Sequence, residues 1–284
     1  MAGTEPPLWL AARAGRPEEI QKLIADGADI EARDGWMERT ALHCGAARGW
    51  GNEETVKILI AAGSDMQAKD KLGKTPLHCA VESFDETVVK MLLESKADVS
   101  SLDKEGKSPL FLAVEESEAP LHSLVKLLLE YGADASAASY DGEAPLHLAA
   151  RKGNAAVVAM LLESGAVATA QTSSGETALH AIIRGGHAIV QAENQGGHNY
   201  VEPDSDADEI DSAVVQQLVE HGASVSATDG EGATPLHAAA HGVDREAMAW
   251  LLLDFGAPVS AQSHDGLTPL HGDPAPTSPR ERIY

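Results

Sequence analysis

Apolar residues come along this chain in two kinds of cluster that alternate. One kind is short and built from small side chains, as in Leu146-His147-Leu148-Ala149-Ala150. The other is bulkier: Val157, Val158, Met160, Leu161 and Leu162 recur at the spacing of one helix face. A Gly-containing break, Arg151-Lys152-Gly153-Asn154, separates the two, and Gly165 closes the second. Gly165 suits the left-handed cap that ends many helices. An extended piece and an Asp-Gly turn such as Tyr140-Asp141-Gly142 then lead to the next short cluster. The pattern predicts a helix, a turn, a second helix, and a turn into the next unit.

The unit repeats. Its opening is Thr75-Pro76-Leu77-His78, and the same signal stands at Thr40-Ala41-Leu42-His43, Ser108-Pro109-Leu110-Phe111 and Ala144-Pro145-Leu146-His147. It recurs at Thr177-Ala178-Leu179-His180, Thr234-Pro235-Leu236-His237 and Thr268-Pro269-Leu270-His271, with a degenerate copy at Pro7-Leu8-Trp9-Leu10. Counted between these leucines, the steps are 34, 35, 33, 36, 33, 57 and 34 residues. A step near 33 marks a repeat array, and the long step is an ordinary one carrying an insert. Proline fits the first helical turn, where its missing N–H costs nothing, and threonine caps the free donors. One helix pair cannot bury both of its apolar faces, whereas stacked pairs cover one another.

These motifs closely resemble the ankyrin repeat. Thr-Pro-Leu-His, the Val-Val-x-x-Leu-Leu run and the Gly-Ala-Asp closings at Gly27-Ala28-Asp29 and Gly132-Ala133-Asp134 all occur in register. The resemblance implies an all-α solenoid of stacked helix-turn-helix units with short β-hairpin fingers. It further implies a concave surface of fingers and first helices that binds other proteins, and a structural role for the motif histidine. The array is expected over residues 1–271, with a flexible acidic insert at about 185–211 inside repeat six and a Pro-rich, disordered tail at 272–284.

Departures from the repeat pick out candidate contacts. In repeat two the finger, Asp34-Gly35-Trp36-Met37-Glu38-Arg39, is one residue longer than Asp70-Lys71-Leu72-Gly73-Lys74. Its inter-helix loop, which carries Trp50, is longer too. A large apolar side chain at a finger tip is a binding anchor, or else folds back on the neighbouring finger. For Trp50, packing is the preferred reading. Finger tips and exposed first-helix positions give Trp36, Met37, Lys71, Leu72, Lys104, Tyr140 and Glu143 as protein-binding candidates. Lys96 stands where other repeats have Gly, so a left-handed lysine is expected there at a cost of about 1 kcal/mol. In repeat four Phe111 replaces the motif histidine, and the second helix is expected from Pro120. In repeat six the second helix is expected to resume at Ser212. Repeat eight stops at Gly272-Asp273-Pro274, which cannot continue a helix. That predicts exposed apolar surface around Leu251, with three readings: a chain cut from a longer one, which is preferred, a self-association surface, or a fold-back of the tail.

Composition narrows the function. Aromatic residues are only 4% of the chain, which fits a core of Leu, Val and Ala. The formal net charge of −23 argues against nucleic acid and anionic membrane and favours a basic partner, though it also serves plain solubility. The two cysteines, Cys44 and Cys79, follow the motif histidine in successive repeats. Helix spacing there exceeds disulfide reach, so free buried thiols are expected, which suits a reducing cytoplasmic or nuclear compartment. Neither a secretory signal nor an 18-residue apolar run is visible.

Catalytic and metal chemistry is not expected. Six of the twelve histidines are the motif residue, one per repeat and too far apart to share a metal at about 2 Å. His187 and His198, beside the acidic insert, match no ligand spacing, and Asp206 and Asp208 lack the glycine and distant glutamate of a calcium loop. No phosphate-cradling loop or nucleophile–base order appears. The expected function is a non-catalytic scaffold or adaptor without cofactor that binds a protein partner. The alternative is the regulatory or targeting portion of a longer enzyme or membrane protein.

Overall fold

The computed structural model describes residues 5–47, 52–115, 122–185, 205–240 and 246–271. The chain forms two compact units, 1–140 and 141–284. In the first unit four helix pairs follow one another: α1 (Pro7–Ala14) with α2 (Pro17–Ala25), α3 (Ala41–Ala46) with α4 (Glu53–Ala61), α5 (Pro76–Glu82) with α6 (Glu86–Glu94), and α7 (Pro109–Glu115) with α8 (His122–Glu130). Among its described residues the second unit has three: α9 (Pro145–Arg151) with α10 (Ala155–Glu163), α11 (Ala178–Gly185) with α12 (Ser205–Glu220), and α13 (Pro235–Ala240) with α14 (Glu246–Asp254). First helices stack on first helices and second on second within each unit, α1 on α3 on α5 and α9 on α11 on α13.

The short first helices are held at both ends. In α5 the Thr75 backbone N–H and hydroxyl both donate to His78 Nδ1, at 3.1 and 2.9 Å. Because Nδ1 accepts, the proton sits on Nε2, which donates to the Lys107 carbonyl of the next repeat at 3.2 Å. The second helices start on capping side chains. Asp85 Oδ1 accepts from the Val88 N–H at 3.1 Å, and Asn154 Oδ1 from that of Val157 at 3.2 Å. They end in a left-handed residue: Gly63, Gly132 and Gly165 have φ of 89°, 85° and 89°. Lys96 takes the same place at φ 72°, as its position in the repeat predicts. Its N–H still bonds the Leu93 carbonyl at 3.0 Å, so the closing geometry is kept without glycine.

The core lies between repeats. Leu42 and Leu77 in the first unit, and Leu146 and Leu179 in the second, are fully buried between stacked pairs, as are Val88, Leu92, Val157 and Leu161 of the second helices. Burying each such side chain contributes about 1.5–3 kcal/mol. Leu270 carries the same motif and is 85% exposed. Thr268 and His271 form their usual bonds, but residues 269–270 stay a turn, and among the described residues no further pair covers Leu270.

The structure revises three expectations. The fingers are tight turns closed by bonds such as Asp70 N–H to Lys74 carbonyl, 2.9 Å. They are too short for strand, so the described fold is helix and turn. Helix α12 begins at Ser205, ahead of the expected Ser212, and takes in a stretch assigned to the insert. The exposed apolar side chains near the last pair include Trp250, Val259, Leu267 and Leu270, whereas Leu251 is half-buried. The expected start of α8 at Pro120 lies outside the described residues. So do Trp50, most of the insert with His187 and His198, and the 272–284 tail.

Candidate protein-binding surface

Four fingers are each built around one buried carboxylate, while Thr172 and Ser263 hold the same place in two others. Asp34, Asp70 and Asp103 in the first unit are all more than 90% buried, though aspartate is ordinarily a surface residue. Asp70 Oδ1 accepts from the N–H groups of Leu72 and Lys74 at 2.8 and 3.0 Å, and Oδ2 from Arg39 Nε at 3.0 Å. Asp103 Oδ1 takes Glu105 and Lys107 the same way, at 2.8 and 2.9 Å. Asp34 Oδ1 accepts from Trp36 and Met37 at 2.9 and 2.6 Å. In the second unit Asp229 holds Glu231 and Ala233, both at 2.9 Å. Burial alone would raise the Asp229 carboxyl. Its bonds from Ala233 and Glu231 and the nearby Arg184 outweigh that and hold it below the ordinary value. Sequence reading missed these aspartates, although the Asp-x-x-Gly spacing at Asp70-Gly73 and Asp103-Gly106 was there to find.

The fingers are then tied edge to edge by single backbone bonds. Lys71 N–H donates to the Met37 carbonyl at 2.8 Å, Lys104 to Leu72 at 2.9 Å, and Tyr140 to Glu105 at 3.0 Å. Close approach explains the finger glycines. A Cβ on Gly73 would sit 2.8 Å from the Lys104 nitrogen, and one on Gly106 2.8 Å from that of Tyr140. In the second unit Ser173 bonds to Asp141, Gly230 to Ser174 and His264 to Glu231 in the same manner.

This ladder brings six of the candidates together in the first unit. Trp36 is 80% exposed and Tyr140 72% exposed, so Trp36 does not fold back on its neighbour. Lys71, Leu72 and Lys104 are exposed beside them, and Met37 is half-buried. Glu143 stands apart: it belongs to the second unit, is half-buried and pairs with Arg151. That pair belongs to a series. Lys74 pairs with Glu82, Lys107 with Glu115 and Glu176 with Arg184, each joining the residue before the motif to the end of its helix. The order is Lys–Glu in repeats three and four and Glu–Arg in repeats five and six.

The motif histidines are buried parts of the stack. His43, His78, His180 and His237 each donate from Nε2 to a carbonyl of the next repeat at 3.0–3.2 Å, and His147 to Ala170 at 3.0 Å. Burial is the main influence on His43, His78, His147 and His180, and it holds each below the usual imidazole value. Phe111 fills the same place in repeat four, with Lys107 Nζ 5.5 Å from its ring. Cys44 and Cys79 are free and buried, and burial pushes both thiols up to about 12. Among the described residues no three His, Cys, Asp or Glu side chains are grouped as metal ligands, and no helix is long and apolar enough to cross a membrane.

Helix pairs stacked on their motif leucines, with tips joined in a ladder, define a repeat protein of the solenoid class. Ankyrin-repeat family models match residues 8–103, 44–139, 85–172 and 218–272, and the chain belongs to the ankyrin-repeat family. The ankyrin repeat domain of Bcl-3, described as a unique member of the IkappaB protein family, has a similar solved structure. The two are 25% identical, with a TM-score of 0.67 over 89% of this chain and 100% of that one. It is one of 652 solved chains that match, so the likeness locates the scaffold and leaves the partner open. Among curated proteins nothing matches.

Proposed function

We propose that this chain acts by binding a protein partner along the finger ridge of its first unit, without catalysis. Ankyrin repeats are generally protein-protein interaction modules. The observation that carries the reading is the pair of large aromatic side chains, Trp36 and Tyr140, held in solvent at the tips of a bonded ladder. Leaving such area in water is unfavourable for a free protein, and buried aromatics dominate interface energies. Met37, Lys71, Leu72 and Lys104 complete the ridge, and Glu143 offers a separate contact on the second unit. Buried unpaired thiols support a reducing compartment, cytoplasm or nucleus. Affinity capture with wild-type protein and with Trp36→Ala/Tyr140→Ala tests this. Capture by the wild type and loss in the folded variant is expected, and undiminished capture removes both anchors.

A second surface is supported by Trp250 and Leu270, 67% and 85% exposed. It suits contact between copies. Sedimentation velocity should show concentration-dependent association that Leu270→Glu abolishes, and a monomer at every concentration discards it.

A further inference from the structure

The fingers of the two units differ in charge although their backbones repeat. Residues 33–39, 69–74 and 102–107 carry seven Lys and Arg against five Asp and Glu. Residues 171–176, 228–233 and 262–267 carry no Lys or Arg and four Asp and Glu. The difference widens once side-chain placement is considered. Three of the five first-unit carboxylates, Asp34, Asp70 and Asp103, are buried and spent on finger amides. Glu105 is paired with Lys107 at 3.0 Å, which leaves Glu38 as the exposed acid without a described cation partner. On the basic side, Arg39 is taken by Asp70 and Lys74 by Glu82. Lys71 and Lys104 are exposed at adjacent tips and have no carboxylate partner among the described residues. They alternate along the ladder with Trp36, Leu72 and Tyr140.

A groove of about 530 Å³ opens at the Trp36 end of this ridge, lined in part by Glu5, Trp9, Arg13, Asp34, Trp36 and Arg39, so its charges are mixed. Arg13 lies 5.3 Å from the Trp9 ring centre. Trp9 is 93% buried, and its Nε1–H has no acceptor among the described residues.

We propose that this ridge docks an extended segment of a partner protein in which carboxylates alternate with apolar side chains. This deepens the interaction-face reading and rests on it. Carboxylates meet Lys71 and Lys104, and apolar side chains cover Trp36, Leu72 and Tyr140. The net charge of −23 opposes such a segment only at long range. At physiological salt the screening length is about 8 Å, so cations at the tips outweigh carboxylates placed further away. A nucleic acid fits less well: two free lysines are few for a phosphate backbone, and Leu72 and Met37 have no use there. The basic partner favoured by overall charge suits the acidic fingers of the second unit instead.

The test is selection of a random 16-residue displayed peptide library on the full chain, followed by anisotropy titration of the enriched peptides. Enrichment of Asp and Glu together with aromatic or aliphatic residues is expected. Lys71→Glu/Lys104→Glu should weaken those peptides about tenfold or more. Unchanged circular dichroism and urea midpoint would show that the variant is folded. Failure to enrich any peptide, enrichment of basic peptides, or acidic peptides indifferent to the charge reversal would overturn the proposal. Equally tight binding of polyglutamate or of a thymidine oligonucleotide would also do so, by showing a bare polyanion site. Basic peptides that still require Trp36 and Tyr140 would leave the interaction face standing and remove the acidic partner. Peptides indifferent to Trp36→Ala/Tyr140→Ala as well would remove both.

Discussion

His43 Nε2 donates to the Lys74 carbonyl at 3.0 Å, across 31 positions of chain. The same carbonyl accepts the Asp70 N–H at 2.9 Å and so closes the next finger. A side chain in one repeat therefore fixes the turn that presents Lys71 and Leu72 in another. Stability and presentation of the ridge are one property here.

Replacing His78, its counterpart one repeat on, tests that link. His78→Ala removes the acceptor for the buried Thr75 N–H and the donor to Lys107. It also leaves a cavity in the stack. A loss of about 3 kcal/mol is expected in urea unfolding, from an unsatisfied donor plus lost packing. A loss below about 1 kcal/mol would show that the bond is incidental.

Acid should loosen both units. Four of the buried histidines, His43, His78, His147 and His180, sit below the usual imidazole value in the folded chain, because burial disfavours the cation. Above about pH 6.5 folded and unfolded chains are both neutral at these sites and stability is complete. As the pH falls below that value, the unfolded chain takes up protons that the folded chain refuses. Stability then falls until the folded value is passed, by up to about 1.4 kcal/mol per pH unit for each histidine. Each unit holds two of the four. Urea midpoints at pH 7.5, 6.5 and 5.5 should drop steeply over the last step, and a flat profile contradicts this account.

The lysine at the end of α6 is a removable strain. Lys96→Gly keeps φ 72° without a Cβ penalty. It should stabilise the protein by about 0.5 kcal/mol after the greater freedom of unfolded glycine is subtracted. A higher urea midpoint with an unchanged slope is the expected record.

The opposite change at the ridge should cost. Gly106→Ala places a Cβ against the Tyr140 nitrogen at a residue with φ 78°. A loss of about 2 kcal/mol is expected, with weaker partner capture because Tyr140 is displaced. Normal stability with normal capture would mean that the fingers approach less closely.

The thiols should report on integrity. Burial pushes Cys44 and Cys79 up to about 12, so little thiolate exists at pH 8. An aromatic disulfide reagent should leave both untouched in the folded protein and label both in urea. Rapid labelling of either without urea would contradict their burial.

Much was legible before any coordinates. The leucine period set the helix pairs, Thr-Pro set their starts, and Lys96 betrayed its left-handed backbone, because each of these is local chemistry within a turn or two of chain. The histidine role followed from the family pattern. The buried aspartates did not stand out, since a charged residue in a polar loop looks solvated until the finger folds over it. The Lys74–Glu82 and Glu143–Arg151 pairs were equally hidden, because eight positions match no helical neighbour spacing and only the bend of the finger back onto its helix joins them.

The chain's pattern thus settled which residues form helices and which repeats stack, because backbone propensity and the period of burial are written residue by residue. Three-dimensional packing alone decided that Trp36 points outward, that the finger acids turn inward and that Lys71 and Lys104 meet no carboxylate among the described residues. Those outcomes depend on which neighbours arrive from 30 or more positions away, and the net charge of −23 says nothing about where its exceptions lie.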